Sequence, residues 1–237
     1  MFKNMTPWSS ISDLMSGLMM VFLFISVSYA FQVSTQAERL VAQSEQLTEQ
    51  NDQISDIISE WEDYRILIYT DLVKEFSNDI AAWEAEIDEE TLSVRFNNPA
   101  LLFAAGRADI SQEFDVILQD FWPRYISVMS RYDSVIREVR IEGHTSSEWG
   151  GATLDDSYFR NMALSQARTR AALQKCYTST PESRIGWVRS NVTANGMSFS
   201  KLIYNNDGTE NSQLSRRVEF TVVIDSFKKL QEISEEL

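Results

Sequence analysis

No charged residue occurs between Asp13 and Glu38, and from Leu14 to Phe31 the side chains are mostly large and apolar. A helix rises about 1.5 Å per residue, so residues 11–33 in helical form cross the roughly 30 Å hydrocarbon core of a bilayer. A single carboxylate, Asp13, stands at the N-terminal end of that run. An ionisable group on a membrane helix carries an energetic penalty, which makes it a functional candidate by default. A plainer reading has Asp13 capping the span at the interface, where a negative charge complements the helix dipole. Ser9, Ser10, Ser12 and Ser16 surround it, either as a relay for water or ions or as a polar interfacial flank.

A cleaved signal is the competing account of the same run. Lys3 gives a weakly basic start, and Ser28-Tyr29-Ala30 has the small-x-small character of a cleavage site. The apolar stretch is longer than a usual signal core, and Asp13 interrupts its beginning. A retained single-pass anchor is the stronger expectation, with a short cytoplasmic N-terminus over 1–10, a transmembrane helix over 11–33 and the bulk of the chain outside. Flanking positive charge gives little guidance on orientation, since only Lys3 precedes the span and Arg39 is the first basic residue after it.

Charge divides the chain beyond the span. Residues 38–90 hold three basic and sixteen acidic residues, whereas residues 91–237 hold seventeen basic and eighteen acidic, so most of the net −14 belongs to one segment. That segment repels nucleic acid and anionic head groups, and neither is an expected partner. Apolar residues recur along it every seven positions, at Val33, Leu40, Leu47, Ile54, Trp61 and Ile68. Such a seam predicts a helical, coiled-coil linker over 34–90, paired in parallel with a second copy; the alternative is a helix lying on the downstream domain. The companion positions Ala37, Ser44, Asn51, Ile58, Arg65 and Leu72 are half polar, so the coil is marginal by itself.

From Thr91 the pattern changes to that of a globular domain, expected over 91–225 with a tail at 226–237. Thr91 to Phe96 alternates as a half-buried strand, and Ser111 opens a helix carrying Phe114, Ile117, Leu118, Phe121 and Tyr125. A second strand runs from Val135 to Glu142, a second helix begins at Asp155-Asp156, and two further strands are expected at 188–196 and 217–224. The order strand, helix, strand, helix, strand, strand predicts an α+β fold, a two-layer sandwich. Cys176 is the lone cysteine, so no intramolecular disulfide forms, and a buried, inert thiol is expected. His144 is the sole histidine; with no second histidine and no triad-like arrangement, it is expected to hold local hydrogen bonds. No metal, cofactor or enzymatic role is expected.

Three motifs give this order a family likeness: Ile141-Glu142-Gly143-His144-Thr145 at a strand end, Asn161-x-x-Leu164-Ser165-x-x-Arg168 on a helix, and Arg216-Arg217-Val218-Glu219-Phe220 opening the last strand. Together they resemble the peptidoglycan-binding domain of the OmpA family over residues 91–225. The resemblance implies that Thr145, Ser146, Asn161, Leu164 and Arg168 form a pocket for the diaminopimelate of a cell-wall stem peptide. Its carboxylate would fall to Arg168, whose guanidinium fork suits bidentate pairing. The family usually places an aspartate directly after the threonine to meet the ligand's amine. Ser146 stands there in this chain and supplies no countercharge, with Glu148, Asp155 and Asp156 as nearby replacements.

The N-terminal stretch Ser10-Ile11-Ser12-Asp13-Leu14-Met15 is similar to the span of MotB-like stator B subunits, and closer to the B subunit of the Zorya anti-phage defence system than to a flagellar stator. What the resemblance implies is a B subunit of an inner-membrane motor, in which a homodimer sits inside a pentamer of multi-span A subunits. Asp13 would take up and release the coupling ion, H+ or Na+, and the wall-binding domain would lie in the periplasm. A passive tether between inner membrane and wall is the alternative that needs no ion traffic.

Overall fold

A computed structural model of the protein describes residues 7–104 and 106–225. The first six residues of the expected cytoplasmic tail, and the expected tail at 226–237, lie outside the described residues. The chain divides into two units, Met1–Asp56 and Ile57–Leu237. Helix α1 (Pro7–Phe76) supplies the described part of the first unit and opens the second.

In the first unit, α1 is long and apolar enough to cross a membrane. Leu14, Phe24 and Phe31 are each more than 70% exposed on the isolated chain. Apolar side chains left outward on every face of a helix call for lipid or partner helices around them. Beyond the span, Leu40, Leu47 and Ile54 remain exposed on the heptad seam.

The second unit uses the same stripe differently. Ile68, Leu72 and Phe76, at the end of α1, are completely buried in the core of their own domain. Arg124 fixes this segment, donating from Nε to Glu75 Oε1 at 2.7 Å and from Nη2 to Asp79 Oδ2 at 2.9 Å. Tyr132 adds a hydrogen bond from its hydroxyl to Asp71 Oδ2 at 2.6 Å. The expected helical linker over 34–90 therefore stops at Phe76. Its last part belongs to the domain, because Trp83 packs on Phe76 and Phe121, at ring-centre distances of 5.8 and 6.0 Å.

Strands β1 (Ala85–Asp88) and β2 (Ser93–Phe96) come next, then helices α2 (Pro99–Leu102) and α3 (Gln112–Met129). After them lie β3 (Ile136–His144), α4 (Leu154–Thr178), α5 (Ile185–Asn191) and β4 (Val192–Ser198). A single turn, α6 (Ser212–Ser215), precedes β5 (Val218–Ile224). The strands form one sheet in the order β1-β2-β5-β3-β4, parallel only between β3 and β4, which α4 connects. Two details depart from the sequence expectation. Ala85–Asp88 is a strand where helix was expected, and the first part of the 188–196 strand is the end of α5. The α+β class stands.

Aromatic side chains dominate the space between sheet and helices. Phe121 sits 5.3 Å from Phe96 and 4.9 Å from Phe220, both near edge-to-face, the arrangement that ring quadrupoles favour. Ser111 caps α3 as expected, accepting from Phe114 N at 2.9 Å. Cys176 is buried, and burial pushes its thiol well above the ordinary range.

Close approach of α4 to the sheet positions the site. A Cβ on Gly143 would meet Thr169 Cγ2 at 2.7 Å, and one on Gly196 would lie 2.4 Å from the backbone nitrogen of Gln166. The second clash is with backbone, so the helix itself must lift. Gly196→Ala is expected to lower stability by about 1–3 kcal/mol, the usual penalty of overpacking. Denaturant titration of the full chain checks this; an unchanged midpoint contradicts it.

Candidate functional site

Strand β3 ends at His144, and its continuation is held where α4 crosses. Thr145 N donates to Ser198 O at 2.9 Å, and Ser198 N donates to Ser165 Oγ at 3.1 Å. The start of α4 is capped by Thr153, whose hydroxyl accepts from Asp156 N at 3.2 Å. On this helix Asn161, Leu164 and Arg168 share one face, as their i, i+3, i+7 spacing requires. The loop after α2 supplies the opposite wall, with Gly106 turning at φ +69° and Arg107 offering its carbonyl.

These elements enclose a pocket of about 620 Å³. Its lining includes all five residues expected from sequence: Thr145, Ser146, Asn161, Leu164 and Arg168. Phe103, Glu148, Trp149 and Arg216 join them. Among the three acids expected near Ser146, Glu148 lines the pocket; Asp155 and Asp156 sit in the first turn of α4 and do not.

Arg168 is 8% exposed. Its Nε donates to Arg107 O at 2.9 Å, and its guanidinium carbon lies 4.9 Å over the Phe103 ring. No carboxylate pairs with it among the described residues. Burial, and secondarily the neighbouring Arg216 guanidinium, hold its pKa down to about 10. It is still a cation at neutral pH, and the shift corresponds to roughly 3 kcal/mol against the charged form. Two further polar atoms are buried without a partner, Thr145 Oγ1 and Asn161 Nδ2. Buried polar groups are nearly always satisfied, so two orphans beside a buried guanidinium that lacks a carboxylate point to a ligand. Their chemistry, a guanidinium fork with amide and hydroxyl donors, fits a carboxylate.

Below a pKa of about 10 the folded state bears the full penalty of charged Arg168, and stability recovers only as pH rises beyond that value. Arg168→Met keeps the packing on Phe103 and loses one hydrogen bond worth about 1 kcal/mol. The ligand-free variant is expected to melt no lower than the parent in differential scanning fluorimetry. A clear fall in its melting temperature contradicts the strained-cation reading.

A buried ion network lies beside the pocket, on β2, β3 and β5. Glu219 Oε1 accepts from Arg95 Nε at 2.7 Å and from Arg217 Nε at 2.5 Å. Glu142, His144 and Glu219 approach within 4.8 Å of one another. The two guanidiniums already balance Glu219, so this trio is a poor cation site. His144 departs from expectation: its ring nitrogens have no hydrogen-bond partner, and the nearest acid, Glu142 Oε2, is 3.5 Å from Nε2. Its backbone N–H, not its ring, is tied, donating to Arg217 O at 2.9 Å.

The second expected site, Asp13, is exposed on α1 and has no hydrogen-bond partner among the described residues. Ser16 Oγ donates to Ser12 O at 2.9 Å, so that hydroxyl is tied to its own helix. Asp13 and the pocket belong to different units of the chain.

Sequence reasoning missed Phe103, Trp149 and Arg216 as pocket residues. Phe103 reads as core in the run Leu101-Leu102-Phe103. Arg216 was visible within the Arg216-to-Phe220 motif, but only the fold shows that it turns to Ser146, donating to its Oγ at 3.3 Å.

No family model matches the chain. It is 42% identical over 231 residues to the Zorya protein ZorB of Escherichia coli, covering 97% of this chain and 92% of that protein. Among solved structures, a MotB-like protein from Desulfovibrio vulgaris superposes with a TM-score of 0.52 over 70% of this chain and 98% of its own, at 21% identity.

Proposed function

The chain belongs to the ZorB family, and we propose that it is the wall-anchored B subunit of an ion-driven inner-membrane motor serving anti-phage defence. The observation that carries this reading is the buried Arg168, without a carboxylate partner among the described residues, beside orphaned Thr145 and Asn161 in a domain with a MotB-like fold. Thr145, Ser146, Asn161, Leu164 and Arg168 grip a stem peptide of peptidoglycan through its carboxylate. The apolar helix crosses the inner membrane once, with the N-terminus in the cytoplasm and the domain in the periplasm.

Asp13 takes up and releases the coupling ion, H+ or Na+, at the face of a multi-span A subunit. Moving one charge through the membrane potential releases about 2.3 kcal/mol per 100 mV, small per step but repeated at each turn. Reaction torque on the B subunit needs a stationary support, and the wall supplies it. A pentamer of A subunits around two B chains completes the assembly. No cofactor takes part.

Pairing of two B chains rests on the seam. Leu40, Leu47 and Ile54 are exposed, whereas Ile68 and Leu72 are buried in their own domain, so the paired coil ends before Ile68. Leu47→Cys in isolated membranes is expected to give a disulfide-linked dimer on mild oxidation, with buried Cys176 silent, and Ile68→Cys to stay monomeric. Equal crosslinking at both positions contradicts this division.

Co-sedimentation of the detergent-solubilised full chain with purified sacculi tests the wall-binding reading. The chain is expected in the pellet and to be displaced by soluble stem peptide. A chain that stays in the supernatant overturns it.

A further inference from the structure

The pocket is rich in donors and poor in negative charge. Its lining includes Arg168, Asn161 and Thr145, residues each nine-tenths or more buried, with Asn161 Nδ2 and Thr145 Oγ1 lacking a hydrogen-bond partner among the described residues. Two cations, Arg168 and Arg216, line it against one acid, Glu148. That acid is mostly exposed and already faces Arg216, with Oε2 3.6 Å from Nη1. The Ser146 oxygen also accepts from Arg216. After burial, the neighbouring Arg216 guanidinium also holds the Arg168 pKa down.

A carboxylate and an amide carbonyl find donors everywhere in such a place. An ammonium group finds two like charges, and the one acid in the lining is solvent-facing and taken. From this we propose that the pocket selects a carboxylate whose neighbouring amine is acylated, the chemistry of a cross-linked wall peptide, over the free zwitterion. Like-charge repulsion provides the discrimination, and the amide carbonyl of the acylated amine takes the donors left over. The inference rests on the wall-binding reading and adds to it which chemical state of the peptide is gripped. Cross-linked peptides carry the load of the wall, so this choice places the anchor on the strands that resist pulling.

Calorimetric titration of the full chain in detergent, with three synthetic stem peptides ending in diaminopimelate, tests this. In one the side-chain amine is free, in the second it is acetylated, and in the third it is acetylated and the adjacent carboxylate is amidated. The acetylated peptide is expected to bind at least about threefold more tightly than the free amine, with the amidated peptide not binding. Ser146→Asp, which supplies the missing acid, is expected to reverse the order of the first two. Equal binding or a preference for the free amine overturns the inference and leaves wall binding intact. Failure of all three peptides to bind overturns the wall-binding reading itself.

Discussion

Cells carrying Asp13→Asn are expected to lose phage protection to the level of cells without the chain, while the variant still inserts and reaches normal abundance. Asparagine is nearly isosteric with aspartate and keeps the polar contacts of a helix-capping residue. What it loses is the ability to bind and release an ion. A capping or interfacial role for Asp13 therefore predicts tolerance, since asparagine caps helices as well as aspartate does. The ion-exchange role predicts complete loss, because an ion-driven motor whose carrier cannot discharge performs no steps. The position argues for the second outcome: an acid at the start of an apolar run, exposed on α1, has no hydrogen-bond partner among the described residues. Retained protection, with quantitative blotting showing equal abundance, sinks the ion-exchange role and leaves the passive tether.

Arg168→Ala is expected to abolish sedimentation with sacculi. Truncating one partner of a buried, hydrogen-bonded charge pair costs about 2–5 kcal/mol, on the order of 30- to 3000-fold in affinity. Here the ligand's carboxylate is left in a pocket where Arg216 is the remaining cation, and Arg216 is engaged with Ser146 and Glu148. The fold is expected to survive the same change, since the lost packing on Phe103 and the bond to Arg107 are offset in part by relief of a desolvated charge. Circular dichroism of the variant should be unchanged while binding disappears. Undiminished binding of Arg168→Ala to sacculi would show that the wall is gripped elsewhere.

Some of this was legible in the residues and some was not, for physical reasons. The span was readable because a charge-free run from Leu14 to Ala37 admits few fates. The pocket was readable because Asn161, Leu164 and Arg168 fall on one helix face whatever surrounds the helix. The end of the linker was not readable. A heptad stripe states that one face must be buried and does not state against what. Leu40, Leu47 and Ile54 await a partner, while Ile68 and Leu72, further along the same helix, enter their own core. Strand β1 hid for the opposite reason, since Ala85-Glu86-Ile87-Asp88 is acidic and short, and edge pairing with Ser93–Phe96 decides its conformation. Residues 188–191 illustrate the ambiguity of short apolar runs: Val188 is buried whether the segment coils or extends, and the structure coils it. Phe103 and Arg216 entered the site through tertiary approach, which no local pattern records.

A polypeptide fixed to the wall while its apolar helix lies in the membrane cannot drift in the plane of that membrane. Single-molecule tracking in living cells of the full chain, tagged with a fluorescent protein, measures that motion directly. The parent and Asp13→Asn are expected to stay immobile, and Arg168→Ala to diffuse laterally like an unanchored membrane protein. Free diffusion of the parent, or immobility of Arg168→Ala, would contradict the account.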